Sequence, residues 1–109
     1  MSDAETVLAR DIDRDQLVAE LRALRPVFER EGVTHMALFG SRARQDNRPD
    51  SDVDLAIEVD EGRKFSLLDL VGVSHLIEDR LGLRSSLLMR RSLEPRFVDA
   101  LRSDGIDVF

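Results

Sequence analysis

The chain has 109 residues, a formal net charge of −6 and an apolar fraction of 42%, enough for one compact domain with a modest core. It has no cysteine, which excludes disulfides, thiolate metal sites and Cys nucleophiles, and no apolar run near the roughly 18 residues of a membrane span. The acidic balance argues against a general nucleic-acid binder, and the lack of a signal-type apolar region in Met1–Arg10 points to the cytosol.

Residues 1–12 show no clear period and are expected to form a flexible N-terminus, with one domain over 13–109. Leu17, Leu21, Leu24 and Phe28 then build a helical stripe, capped by Asp13, closed by Gly32 and expected to kink or break at Pro26. Val33–Phe39 reads as a short buried strand between Gly32 and Gly40. Ser41–Arg44 can start a short helix, and Gln45–Ser51 is a loop. Asp52–Val59 alternates, with Val53, Leu55 and Ile57 on one face and Asp52, Asp54, Ala56 and Glu58 on the other. After a polar turn, Ser66 and Asp69 form a capping-box pattern for a helix running to Leu81 and stopped by Gly82. Leu83–Met89 is a third strand, Pro95 opens a last helix that ends before Gly105, and Ile106–Phe109 can add a short strand. The order α-β-α-β-α-β-α-β predicts an α/β or α+β domain, a single layer of sheet with helices against it.

Two short motifs carry chemistry. Gly40 permits a turn where a Cβ would obstruct a ligand, and Ser41 follows it at a helix start, where free amides favour an anion. Taken alone, Gly-Ser is also an ordinary turn. Asp52 and Asp54, two apart on a strand, share a face roughly 6 to 7 Å apart along the backbone. Such a pair is either a solvated strand surface or a shared cation site, and carboxylates are the natural ligands of Mg²⁺. In this order, on these elements, the two motifs place an anion cradle beside a metal site. That arrangement suits a Mg²⁺-bound nucleoside triphosphate and in-line attack on its α-phosphorus.

Gly40-Ser41 followed by Asp52-Val53-Asp54 resembles the signature of the polymerase-β nucleotidyltransferase superfamily, and Leu38-Phe39-Gly40-Ser41-Arg42-Ala43-Arg44 resembles its minimal (MNT) branch. The likeness extends through Ser66-Leu67-Leu68-Asp69-Leu70 and covers about residues 14–109. It implies a polymerase-β-like fold, a small mixed sheet with helices packed against it. It also implies that Gly40, Ser41 and Arg42 bind the nucleotide and that Asp52 and Asp54 are the catalytic and metal-binding residues, with Mg²⁺ as cofactor and ATP as substrate. Members of the branch commonly accompany a HEPN-domain toxin, which they neutralise by binding, by transferring AMP to one of its tyrosines, or both. This chain has no Tyr, so a tyrosine acceptor would lie on the partner.

The pattern departs from the branch in two places. The third carboxylate of the superfamily would fall on Ser86, and Ser is a poor Mg²⁺ ligand and no base at neutral pH. A missing general base costs around 10² to 10⁴ in rate. Glu58 shares the face of Asp54 but lies roughly 13 Å along the strand, too far to substitute. Gln45 stands where the branch usually has Gly. An AMP-transferring antitoxin and a catalytically degenerate protein that acts by binding alone therefore both remain open. Arg42, Arg44 and Arg48 are candidates for phosphate contacts, or else solvated loop charges paired with Asp46 and Asp50. Lys64 could reach the triphosphate, while His35 and His75 have no metal-ligand spacing. So short a chain has little beyond the catalytic module. The base pocket is therefore expected to be open, with the acceptor supplied by a partner or a second copy.

Overall fold

A computed structural model describes residues 9–109. Helices α1 (Arg14–Ala23) and α2 (Arg25–Arg30) precede strand β1 (Val33–Phe39) and the single-turn helix α3 (Ser41–Arg44). Strand β2 (Val53–Val59), helix α4 (Leu67–Leu81) and strand β3 (Ser85–Met89) follow. A 3₁₀ turn at Arg90–Ser92, helix α5 (Pro95–Asp104) and strand β4 (Ile106–Asp107) complete the chain. The expected order of elements is present, and only the 3₁₀ turn was not legible in the sequence.

Local signals account for the boundaries. Asp13 accepts from the Gln16 amide at 2.7 Å, capping α1. Pro26 lacks the N–H that a continuous helix would need there, so the pattern breaks at Leu24 and restarts with proline in the first turn of α2. The Ser66–Asp69 capping box closes in both directions at the start of α4, and Gly82 ends that helix in the left-handed conformation.

The sheet order is β3-β2-β1-β4, with β1 antiparallel to both β2 and β4 and with β2 and β3 parallel. Alternation sends Met36, Leu38, Leu55 and Ile57 to one face, where Leu17 and Leu21 of α1, Phe28 of α2 and Val73 and Ile77 of α4 complete the core. The opposite face carries Ala37, Phe39, Asp54, Ala56 and Ser86. On that face α5 sets Phe97 edge-on against Phe39, ring centroids 6.1 Å apart. Ala56, placed by the alternation on the polar side of β2, is also buried. No helix among the described residues is long and apolar enough to cross a membrane.

The flexible segment expected at residues 1–12 falls mainly on residues 1–8, outside the described ones. Residues 10–12, however, are docked. Arg10 grips Glu20 through Nη1–Oε1 at 2.8 Å and Nη2–Oε2 at 3.0 Å, and donates to the Leu81 carbonyl at 2.7 Å. Its amide donates to the Pro49 carbonyl at 2.9 Å, and Ile12 packs on the core. The Arg10 hydrogen bonds hold the Glu20 carboxyl below the usual carboxylate range, against the opposing effect of burial. A carboxyl depressed in the folded state adds stability above its unfolded pKa, and that stability disappears as pH falls through the folded value. Glu20→Gln should therefore lower stability by about 1 kcal/mol at neutral pH. Denaturation curves of variant and wild type should converge once the medium is acidic enough to protonate Glu20.

Candidate active site

Gly40 leaves β1 at φ 78° and ψ −159°, a conformation essentially reserved for glycine. A Cβ built there would run into the Asp54 carboxyl group, 3.0 Å from its Cγ. The register explains this proximity: Phe39 at the end of β1 pairs with Asp54 of β2, and Asp54 pairs with Ser86 of β3. Gly40 and Asp54 are thus brought into direct contact, and Ser86 lies beside Asp54 on the same face of the sheet. Asp52 stands one residue before β2, exposed at the end of the loop. Ser41 opens α3, whose first amides lack intrahelical partners by construction.

The charge distribution agrees with the geometry. Burial pushes the Asp54 carboxyl up, the neighbouring Asp52 charge pushes it further, and Arg44 partly offsets both. Two carboxylates crowded in this way are relieved by a shared cation, and their oxygens are the donor set that Mg²⁺ prefers. Among the described residues no group of three or more His, Asp or Glu side chains forms a metal-type cluster.

Ser86, in register with Asp54, has no carboxylate neighbour supplied by Glu58. Glu58 lies toward the far end of β2, within 3.6 Å of Arg90 and 4.0 Å of His35. Ser85 faces the other way, its hydroxyl 2.7 Å from that of Ser74 on α4 and its amide bound to Glu78. The Ser85-Ser86 pair that interrupts an apolar strand therefore splits: one serine is tied to the helix and the other faces the Asp54 side. Lys64 and His75 are exposed.

The arginines divide in a way the sequence did not reveal. Arg42, expected to bind nucleotide, is only 2% exposed. Its Nε donates to the Ser51 carbonyl at 3.0 Å and its Nη2 to the carbonyls of Pro49 at 3.0 Å and Arg48 at 3.4 Å. Arg42 thus staples the loop that delivers Asp52 through Nε and Nη2, while its buried Nη1 has no hydrogen-bond partner among the described residues. Arg44 is the one oriented by carboxylates at the surface, at 3.0 Å from Asp46 and 3.4 Å from Asp104 of α5. Arg48 is an exposed loop charge near Asp50, at 3.6 Å. The Arg44–Asp104 tie was invisible in the sequence because its partners are sixty residues apart.

Gln45 caps α3 at φ 66° and ψ 27°, in the left-handed region, and is the only non-glycine residue with positive φ among those described. The difference from Gly at this position has a backbone cost rather than a chemical one. Gln45→Gly should stabilise the fold by roughly 0.5 to 1 kcal/mol, the left-handed penalty less the extra entropy of glycine in the unfolded chain. Urea unfolding with an unchanged slope would register it.

A hollow of about 370 Å³ lies at the other end of the sheet, lined by Glu58, Glu61, Met89, Arg90 and Arg91. It shares no residue with the Gly40–Asp54 cluster.

A glycine-serine turn after the first strand, held against an Asp-x-Asp on the antiparallel second strand, is the constellation of a polymerase-β-type nucleotidyltransferase. The profile of the nucleotidyltransferase domain family matches residues 16–108, and the chain belongs to that family. It is 34% identical over 87 residues to a provisionally designated protein adenylyltransferase of Methanocaldococcus jannaschii, covering 80% of this chain and 91% of the relative. It is 38% identical over 78 residues to the protein adenylyltransferase MntA of Thermococcus cleftensis, covering 72% and 74%. A solved structure described provisionally as a minimal nucleotidyltransferase superposes with a TM-score of 0.71 at 34% identity, over 87% of this chain and 95% of that one. A complex of tri-AMPylated Shewanella oneidensis HEPN toxin with MNT antitoxin matches at 0.63 and 12% identity, over 88% of this chain and 71% of that one, a likeness of fold alone.

Proposed function

We propose that this protein is a cytosolic antitoxin that transfers AMP from ATP to a hydroxyl on a HEPN-type toxin partner, with Mg²⁺ held by Asp52 and Asp54. The observation that carries the reading is the contact of Gly40 with the Asp54 carboxyl, with Asp52 next to it in the chain. Gly40 and Ser41 would cradle the phosphates with their amides, and Arg44 stands close enough to lower the Asp54 carboxyl electrostatically. When bound, the divalent cation would neutralise phosphate charge and polarise the phosphorus under attack. In the transfer, the acceptor oxygen bonds to the α-phosphorus, the bond to the β-phosphate breaks, and pyrophosphate leaves as the acceptor proton passes to solvent or to a base. The chain itself contains no Tyr, consistent with an acceptor on the partner, where the adenylyltransferase relatives are named for modifying protein.

Ser86 supports a second reading. It lies in register with Asp54, where a carboxylate would complete the donor set, so a protein that neutralises its partner by binding alone is the alternative. The two are separated by measuring Mg²⁺-dependent transfer of α-labelled ATP onto the toxin by wild type and Ser86→Asp. Labelled toxin from wild type supports the transferase, and Ser86→Asp should then be at least as fast. Label from Ser86→Asp alone would replace the transferase reading with binding on a degenerate site.

A further inference from the structure

Asp104 sits where local chemistry disfavours it. It is the last residue of α5, and an anion at the carboxyl end of a helix is opposed by the helix dipole. Yet its side chain is 22% exposed and well held: Oδ2 lies 3.4 Å from Nη1 of Arg44, and Oδ1 accepts from the Ser103 hydroxyl at 3.2 Å. What Asp104 holds is a cation of the candidate active site. Arg44 ends α3, the short helix that follows Gly40, and its charge reaches the Asp54 carboxyl. Asp46 takes its Nε at 3.0 Å. Two carboxylates on different nitrogens fix the orientation of a planar guanidinium. Nη2 engages no partner among the described residues, and the side chain is 44% exposed. Helix α5 therefore holds both flanks of the Gly40 turn, with Phe97 packed on Phe39 before it and Asp104 paired with Arg44 after it.

Resting on the nucleotidyltransferase reading above, we propose that Asp104 is a positioning residue for the nucleotide. It holds Arg44 so that the unengaged Nη2 is presented to a phosphate of ATP bound at Gly40 and Ser41. A guanidinium already anchored through two of its nitrogens loses little freedom when it meets a phosphate, so its orientation converts into affinity. Asp104 touches no phosphate itself, since two anions repel, and it acts through Arg44 alone. The sign of its effect distinguishes this role from simple electrostatics. Removing a carboxylate beside a triphosphate site should, on charge alone, tighten anion binding. Losing the hold on Arg44 should weaken it.

Equilibrium dialysis of ATP with Mg²⁺, with no toxin present, tests this on wild type, Asp104→Asn, Arg44→Ala and the double variant. Asp104→Asn should bind ATP roughly two- to fivefold more weakly than wild type, the scale of one partly exposed charge contact. In the Arg44→Ala background there is no guanidinium left to hold. There the further change Asp104→Asn should leave affinity unchanged or tighten it slightly. A general loosening of the fold would instead weaken binding in both backgrounds. Equal losses in both backgrounds, or binding by Asp104→Asn as tight as wild type or tighter, would overturn the role of Asp104 while the nucleotide site of wild type stands. A wild type that binds no ATP with Mg²⁺ would remove the nucleotide reading itself, and the role of Asp104 with it.

Discussion

Replacing Asp54 with Asn should abolish AMP transfer while making the metal-free protein more stable. The carboxylate is held above its usual range by burial and by Asp52, so in the folded chain its ionised form is disfavoured. A carboxyl raised in the folded state destabilises the fold at neutral pH, and the penalty fades as pH falls through the raised value. Asn removes that penalty without changing size, and the melting temperature of the metal-free variant should exceed that of wild type at pH 7 but not at acidic pH. The functional effect has the opposite sign. Loss of the carboxylate proposed to hold the metal should cost about 10³-fold in transfer rate, from several kcal/mol of lost charge stabilisation. Mg²⁺ with ATP should raise the melting temperature of wild type and leave Asp54→Asn unmoved. A variant that still transfers at the wild-type rate, or that melts lower without metal, would contradict the assignment.

Gly40→Ala should be among the most damaging single changes in the chain. The methyl group would collide with the Asp54 carboxyl, and its backbone conformation is one that L-residues rarely adopt. Strain of this kind costs of order 1–3 kcal/mol before the collision is counted. A total near 3 kcal/mol would lower the melting temperature by more than ~10 °C in a domain of this size. The two contributions can be separated by a double-mutant cycle with Asp54→Ala, which removes the carboxyl and leaves only the backbone strain. Coupling of about 1 to 2 kcal/mol between the sites is expected. Additive effects would mean that the two residues do not oppose one another as described.

Much of the fold was legible because local chemistry set it. Asp13, Pro26, Ser66 with Asp69, Gly82 and Pro95 each determine an element end through hydrogen bonds or backbone restriction that operate within a few residues. The candidate site was legible as two motifs in order, and strand register then brought Gly40, Asp54 and Ser86 together. What the sequence left out depends on long separations. Nothing near Phe97 in the sequence indicates that it packs on Phe39, far back on the first strand. The carbonyl contacts of Arg42 were hidden for a related reason: an arginine beside a phosphate-type turn and an arginine turned inward to loop carbonyls have the same local sequence. Burial alone distinguishes them.

The stapling by Arg42 bears on the distance between the two short motifs in this chain. The stretch between them has no helix or strand over residues 46–52, yet the carbonyls of Arg48, Pro49 and Ser51 are all held by one guanidinium, and Pro49 is held again by the Arg10 amide. The Ser51 hydroxyl further accepts from the Arg48 amide at 2.8 Å. Such a loop behaves as a fixed-length strut rather than a tether. One residue inserted between Arg48 and Ser51 would pull at least one carbonyl from its donor and rotate the start of β2, turning Asp52 and Asp54 out of phase with Gly40. The spacing of the signature is in this sense a mechanical dimension of the site, set by the reach of a single arginine.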